Sequence, residues 1–534
     1  MIGASPGEHY VSVGAGGNTW RMAARLTLAL LGAALLYRFS LFAADAVAAV
    51  RFPFELDYGE GIVWQQALMI FRGDAYGDIT QFPYIVFHYP PVYHLLTGAL
   101  AAAGGLDELM AGRLTSVVAT LLTGGIAGAL TYRALRSEIG TAPSTLCAVV
   151  AGLATFTYWP VLAWAPLMRV DMAAVAFSFL GVYFGTRSLA RPSMVHLASL
   201  CFVLAIYTKQ TMLAAPVATY AVLLVVRPRL ALAAMASAVA MGLAGLAALS
   251  WMTEGGFLRH ILLYNINRFD WGWFWMVTKA ARIPLIFLAI TTFVAIQSFW
   301  RLLKGCSGRS FINTLRARIV AREQNLILAI VSVYLLLATL MLVLAGKSGS
   351  NVNYFIEWMC VWSVLIGMSV RPAAVLAADL GSVDKPSASP QSSNLLALCV
   401  PLALATQALM LPLPPFAKLA AHPRRSEAMR ELVERTRAAR SPVVSDDMVL
   451  LLRSGKQVPW ESAIFAELAS TGLWDERPFI RMIKQRRFAF FITVGARGHR
   501  LFDSRYTTAV ADAIDAAYPR KEHVAGYQVH LPPR

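Results

Sequence analysis

The stretch Asp57-Tyr-Gly-Glu60-Gly61 follows the first long apolar run of the chain and sets two carboxylates on a backbone that its glycines allow to turn tightly. A hydroxyl is a poor nucleophile near neutral pH, so transfer of a group onto it needs a carboxylate within hydrogen-bond reach to take the proton as the new bond forms. Asp57 is the candidate base and Glu60 the second candidate catalytic carboxylate. Glu60 has an alternative role as a first-turn acid, stabilising through the helix dipole the amphipathic segment IVWQQALMIFRG, which reads as a helix lying along a membrane.

Fixed cations would serve the other half of such a transfer. A phosphate leaving group develops negative charge, and cations already in place lower the barrier without forming covalent bonds. Arg169, Lys209, Arg268 and Lys347 are the candidates, Arg for two-pronged phosphate contacts and Lys as a point charge. Arg38 lies inside the first apolar run, where it should face protein or water, and is a further candidate for the phosphate. Asp171, Asn353, Tyr354 and Glu357 join the donor side, and His88 with Tyr89 the acceptor or pocket side. Plainer readings compete: an Arg169–Asp171 structural ion pair, a snorkelling Lys209, and a structural His88.

The elements that must position these residues are membrane helices. Mean hydropathy is +0.56, and 57% of residues are hydrophobic against 14% charged, which excludes an ordinary soluble domain. Eleven apolar stretches fall near 24–48, 114–132, 145–165, 172–186, 194–207, 211–226, 230–251, 280–300, 325–345, 354–370 and 394–413. The segment YPPVYHLLTGALAAAGG at 89–105 has too short an apolar part for a straight span and reads as a re-entrant or interfacial helix.

Counted that way, Arg133/Arg136, Arg187/Arg191, Arg227/Arg229, the Arg301–Arg322 cluster and Arg371 share one side, the cytoplasmic one by the positive-inside rule. The net charge of +17 is explained by these loops, so nucleic acid is not an expected partner. The candidate site residues then all emerge on the outer side. Residues 1–23 read as a cytoplasmic tail, 24–413 as the membrane domain with its first outer loop at 51–113, and 381–394 as a polar cytoplasmic loop. Arg21 and Arg25 precede the apolar run from Leu26, and Ala44-Asp45-Ala46 loosely resembles a signal-peptidase site; retention as a signal anchor is the expectation.

Beyond Pro412-Leu-Pro-Pro415 the composition changes. HPRRSEAMRELVERTRAAR reads as an amphipathic helix, SPVVSDD and FAFFITVG as strands, and DSRYTTAVADAIDAAY as one more helix, so 414–534 is expected to be a small extracytoplasmic α/β domain. Cys147, Cys201, Cys360 and Cys399 lie in apolar runs and Cys306 in a basic loop, with no disulfide framework. The aromatic loop NINRFDWGWFW reads either as an ordinary aromatic belt at the membrane surface or as a cover over a lipid-chain groove, with Arg268 reaching a headgroup.

In their order and sidedness, Asp57-Tyr-Gly-Glu60, YPPVYHLL at 89–96, RVDMAAVAFSFLGVYF at 169–184, YTKQTMLAAP at 207–216 and GSNVNYFIEW at 349–358 resemble the membrane-embedded glycosyltransferases of the GT-C superfold. The likeness is to bacterial enzymes related to aminoarabinose transferases and protein O-mannosyltransferases. It implies a polytopic α-helical protein in a bacterial inner membrane, a polyprenyl-phosphate-linked monosaccharide as donor, and an inverting transfer with Asp57 as base. By the same resemblance Asp171 and Lys209 match polar cavity residues, and the Asn353-Tyr354 region a later outer-loop element. The Asp-x-x-Glu spacing departs from the adjacent Asp-Glu pair of the eukaryotic protein mannosyltransferases, so the acceptor stays open among glycan, lipid and protein. No cofactor is indicated by a motif, and a divalent cation stays open. The competing classes are a transporter or flippase of lipid-linked sugars, which would show paired inverted repeats, and a polymerase or ligase acting on lipid-diphosphate oligosaccharides.

Overall fold

A computed structural model describes residues 15–265, 267–306, 310–378, 391–420 and 423–534. The first part of the amino-terminal tail and most of the expected polar loop at 381–394 lie outside the described residues. Lipid offers no partner for backbone N–H and C=O groups, so the apolar stretches satisfy them internally as helices. Among the described residues, six helices are long and apolar enough to cross a membrane, and five shorter apolar ones accompany them.

The elements that bear on the site are α1 (Ala15–Arg51), α2 (Glu60–Arg72), α3 (Val92–Gly104), α4 (Glu108–Ile139), α5 (Thr141–Ala154), α6 (Trp159–Trp164), α7 (Asp171–Arg187), α8 (Met194–Ile206), α9 (Ala214–Val226) and α10 (Pro228–Met252). The stretch expected as one span at 145–165 is broken. Helix α5 stops at Ala154, a tight turn covers Thr155–Thr157, and Pro160 opens α6, where its missing N–H costs nothing.

The bundle has two chemically different ends. At one of them Arg133, near the end of α4, bonds Glu323 and Thr186, and Arg371 pairs with Glu138 at 2.7 Å. At the other lie the start of α4 with Arg113, the start of α7 with Asp171, and Lys209 beyond α8. Helix α4 spans 32 residues, roughly 48 Å at 1.5 Å per residue. Helix α3 begins and ends at the second end: His88 before it approaches Glu461 of the C-terminal domain, and Asp107 after it pairs with Arg453 of that domain at 3.1 Å. Its 13 residues therefore turn back instead of crossing.

The C-terminal domain is a four-stranded sheet flanked by helices. Strands β1 (Val444–Ser445), β2 (Phe491–Thr493), β3 (Arg520–Val524) and β4 (Tyr527–Leu531) lie in the order β1-β2-β4-β3, with β1 parallel to β2 and the other pairings antiparallel. The amphipathic helix forms over Pro423–Ala438. The helix expected over 503–518 is divided into Arg500–Arg505 and Thr508–Ala517, because the Thr507 hydroxyl accepts from Val510 N–H and starts a new helix.

This domain is not a detached cap. Ile79, Tyr84 and Val86 of the loop between α2 and α3 sit in its aromatic core with Trp460, Phe479 and Phe488, and Tyr84 N–H donates to Pro459 C=O at 2.9 Å. Helix α2, expected to lie along the membrane, is buried over Glu60–Ala67; a Cβ on Gly61 would stand 2.4 Å from the Met448 backbone, so only glycine permits that approach. Asp45, deep in α1, accepts from the N–H groups of Phe416 and Ala417 at 2.7 and 2.6 Å and ties the end of the last apolar helix to the first.

Candidate active site

Asp57 lies in the turn between α1 and α2, and its Oδ2 accepts a 2.5 Å hydrogen bond from Arg169 Nη2. Arg169 also donates to the Tyr58 carbonyl, and its guanidinium lies 5.7 Å from the Trp164 ring centroid. Gly59 makes this geometry feasible: its φ is +96°, and a Cβ there would stand 2.8 Å from Arg169 Nη1. Asp57 keeps 26% side-chain exposure, enough to meet a substrate. Burial raises its carboxyl above the ordinary range, with the Arg169 charge opposing part of that rise. A buried yet reachable carboxylate with raised basicity suits proton removal from a hydroxyl.

Beside this pair, the start of α7 presents Asp171 to three partners. Its Oδ1 accepts from Lys209 Nζ at 2.6 Å and Asn353 Nδ2 at 2.9 Å, while Oδ2 accepts from Trp164 Nε1 at 2.9 Å. Lys209 also lies 4.6 Å from the Tyr354 ring centroid. Asp171, Lys209, Asn353, Tyr354 and Glu357 line one cleft, whose apolar wall includes Met212, Met341 and Leu344. Glu357 accepts from Tyr334 Oη at 2.8 Å. The charges of Asp171, Lys209 and Arg169 all act on the Tyr89 hydroxyl. Cations beside an apolar-walled cleft can hold an anionic headgroup whose chain extends along the wall.

Three of the sequence expectations are corrected. Glu60 is fully buried; its oxygens accept from Arg113 Nε and Nη2 at 2.8 and 2.7 Å and from the N–H groups of Leu56 and Met168. With every acceptor position occupied and no exposure it is a structural anchor. Arg38 is equally buried and donates to the carbonyls of Leu411 and Pro412, closing the end of the last apolar helix instead of meeting a phosphate. Arg268, 69% exposed, bonds Glu467 of the C-terminal domain at 3.2 Å, so the contact the structure gives it is with that domain. The aromatics beside it form a helix over Trp271–Ala280, with Trp271 and Trp275 exposed and Trp273 Nε1 bonded to Ser350 Oγ at 2.8 Å. Lys347 pairs through its backbone with Phe269, and its ammonium meets no carboxylate among the described residues.

His88 reaches the C-terminal domain: its Nδ1 lies 4.0 Å from Glu461 Oε2, and its carbonyl accepts from Gln210 and Asn265. Sequence reasoning missed Arg113, Glu461, Tyr58 and Arg505. Arg505 from the C-terminal domain stacks 3.8 Å above the Tyr58 ring, and the Tyr58 hydroxyl lies 3.4 Å from Ser462 Oγ. Arg113 carried a local signal, a charge in the second turn of an apolar helix. Glu461 carried none. Among the described residues no group of three or more His, Cys, Asp or Glu side chains is placed to hold a metal ion.

No family model matches the chain, and no curated protein matches it. Solved structures do. ArnT from Cupriavidus metallidurans bound to undecaprenyl phosphate superposes with a TM-score of 0.56 at 14% identity, covering 93% of this chain and 99% of that one. The same protein in the apo state gives 0.55 at 12% identity over the same shares. The oligosaccharyltransferase AglB from Archaeoglobus fulgidus, in complex with an inhibitory peptide and a dolichol-phosphate, reaches 0.44 at 12% identity, over 85% of this chain and 69% of that one. The ArnT likeness shows the fold: the polytopic GT-C architecture, C-terminal domain included.

Proposed function

We propose that this protein is an inverting glycosyltransferase that moves a monosaccharide from a polyprenyl-phosphate donor to a hydroxyl acceptor at the extracytoplasmic face of a membrane, the inner membrane in a bacterium. The observation that carries the reading is the placing of Asp57, on Arg169 at 2.5 Å, at the same end of the bundle as the Asp171–Lys209 pair. The acceptor O–H gives its proton to Asp57 as the oxygen bonds the anomeric carbon. The bond from that carbon to the phosphate oxygen breaks, and its electron pair leaves with the phosphate. A single displacement with one base inverts the anomeric centre. Lys209 and Arg169 meet the charge that grows on the phosphate.

The ArnT structure that carries undecaprenyl phosphate supports a lipid phosphate as the donor's leaving group. The basic ends of α4 and α7 lie opposite the site, which supports the extracytoplasmic placement through the positive-inside rule. The acceptor is a glycan, lipid or protein hydroxyl reached from the bilayer surface. The test is transfer from a radiolabelled polyprenyl-phosphate sugar pool by the full-length protein in lipid, comparing wild type with Asp57→Asn. Loss of about 10²- to 10⁴-fold in rate is expected for removal of a general base. Transfer that survives the substitution removes the proposed base. Labelling of a cysteine placed at Gly73 by membrane-impermeant reagent from the cytoplasmic side alone would reverse the orientation.

A further inference from the structure

Glu461 is a buried acid that the reaction above leaves unused. It occupies the N-cap position of the helix Ser462–Ser470, yet its side chain caps none of that helix's N–H groups. It turns instead toward the membrane domain. Its side chain is 8% exposed, Oε2 lies 4.0 Å from His88 Nδ1, and that oxygen has no hydrogen-bond partner. A parallel bridge between Tyr84 and Trp460, with Tyr84 N–H donating to Pro459 C=O, brings the residue before Ser462 beside the loop that leads to His88.

His88 lies against the carboxyl, and the carboxyl interacts electrostatically with Tyr58 from the first outer loop, Arg169 before α7, and Arg505 from the C-terminal domain. Burial pushes Glu461 up to about 8 against the pull of both arginines, and burial pushes His88 down to about 4. Burial thus disfavours the charged form of each, and at 4.0 Å the contact is not a hydrogen-bonded ion pair. A buried oxygen without a partner is costly in a folded protein, and a ligand group is one that can satisfy it. Tyr58, next to Asp57, lies 3.4 Å through its hydroxyl from Ser462 Oγ, next to Glu461, so the two acids stand on segments that touch across the two domains.

We infer that Glu461 is an acceptor-binding residue whose carboxyl holds a second hydroxyl of a polyhydroxylated acceptor, a sugar headgroup, while Asp57 takes the proton from the first. The inference rests on the glycosyl-transfer reading above. A sugar offers neighbouring hydroxyls at short range, so two acids can grip it at once. A seryl or threonyl side chain offers only one. The C-terminal domain thereby completes the site, and an acceptor enters between the first outer loop and that domain.

The test uses the full-length protein in lipid nanodiscs with the radiolabelled polyprenyl-phosphate sugar pool. Acceptor probes are an envelope glycolipid extract, the soluble oligosaccharides released from it, and a serine-containing peptide. Glu461→Ala is expected to raise KM for the sugar acceptor about tenfold or more, with kcat at saturation much less affected, as for one lost hydrogen bond to a buried group. Glu461→Gln, which keeps hydrogen-bonding capacity, recovers most of the affinity. Retention of the glycolipid by native mass spectrometry gives the same ranking without turnover. A shift with both sugar probes places recognition in the headgroup; a shift with the glycolipid alone means that the headgroup is taken only on its lipid.

An unaltered acceptor KM in Glu461→Ala overturns the inference. So does equal loss in Ala and Gln with a lowered Tm, and so does a wild type that uses the peptide but retains neither sugar probe. Wild-type transfer by Asp57→Asn overturns the glycosyl-transfer mechanism instead, whereas an inactive Asp57→Asn beside an unaltered KM in Glu461→Ala overturns only the role of Glu461.

Discussion

Arg169 and Asp57, 112 residues apart in sequence, share a 2.5 Å hydrogen bond. The contact joins the turn after the first apolar helix to the turn before α7. It gives the guanidinium two tasks, since the group that orients the carboxylate also lies beside the cleft where a phosphate would sit. Substituting it should therefore alter pH dependence as well as rate.

The pH profile of transfer tests the first task. Asp57 must be ionised to take a proton, so the rate falls as pH drops through its pKa, which burial raises and Arg169 lowers. In Arg169→Met the lowering cation is gone, and the acid limb of kcat/KM should move to higher pH. A limb that stays in place means that the titrating base is another group.

Gly59 tests the geometry of the same contact. A Cβ at this φ of +96° would stand 2.8 Å from Arg169 Nη1. Gly59→Ala should displace the guanidinium and lower transfer about tenfold or more, at a folding cost of about 1–2 kcal/mol for the left-handed backbone. Wild-type transfer by this variant would show that the Asp57–Arg169 contact is dispensable.

Glu60 and Arg113 form a buried pair at 2.7 Å that anchors α2 on α4. Burial alone would raise the Glu60 carboxyl, but Arg113 and the N–H groups of Met168 and Leu56 outweigh it, so the folded-state pKa lies below the ordinary value. The stability it contributes is present above the unfolded-state pKa and is lost as pH falls through the lower folded one. Glu60→Gln leaves a buried unpaired guanidinium and should cost about 3–5 kcal/mol. Thermal melts in detergent check this, with activity lost in proportion to the folded fraction. A Glu60→Gln variant that melts like wild type yet fails to transfer would restore Glu60 as a catalytic acid.

Lys209 tests the donor side. Lys209→Gln should raise the donor concentration for half-maximal rate roughly ten- to hundredfold, the worth of one hydrogen bond to a charged group. Competition by polyprenyl phosphate without sugar should weaken by the same factor. If only the acceptor KM changes, the cleft of Lys209 and Tyr354 is not where the phosphate binds.

The membrane architecture was legible in composition because lipid forces long apolar segments into helices whatever their neighbours. The arginines at one end of the bundle were legible for the same reason, as was the turning back of α3. The breaks were less so: Pro160 marks one, but the division at Thr507 depends on a side-chain cap inside a sequence with continuous helical periodicity. Among the candidate residues, Asp57, Arg169, Asp171, Lys209, Asn353, Tyr354 and Glu357 could be named because a polar group at the end of an apolar helix is rare enough to stand out.

What each of them touches was decided by packing. Asp57 and Glu60 stand three residues apart on one turn, yet one keeps 26% of its side chain exposed and the other is sealed against Arg113, a difference that arises only when α4 closes over α2. Arg38 and Arg268 carry the same charge as Arg169, but carbonyls at Leu411 and Pro412 claim the first and Glu467 claims the second. Glu461 had no signature at all, because its neighbours come from the membrane domain and from a separate helix of its own domain. Hydropathy is a property of each segment by itself and can be read along the chain. A carboxyl's partners, and with them its burial and proton affinity, are set by residues hundreds of positions away and exist only once the chain has folded.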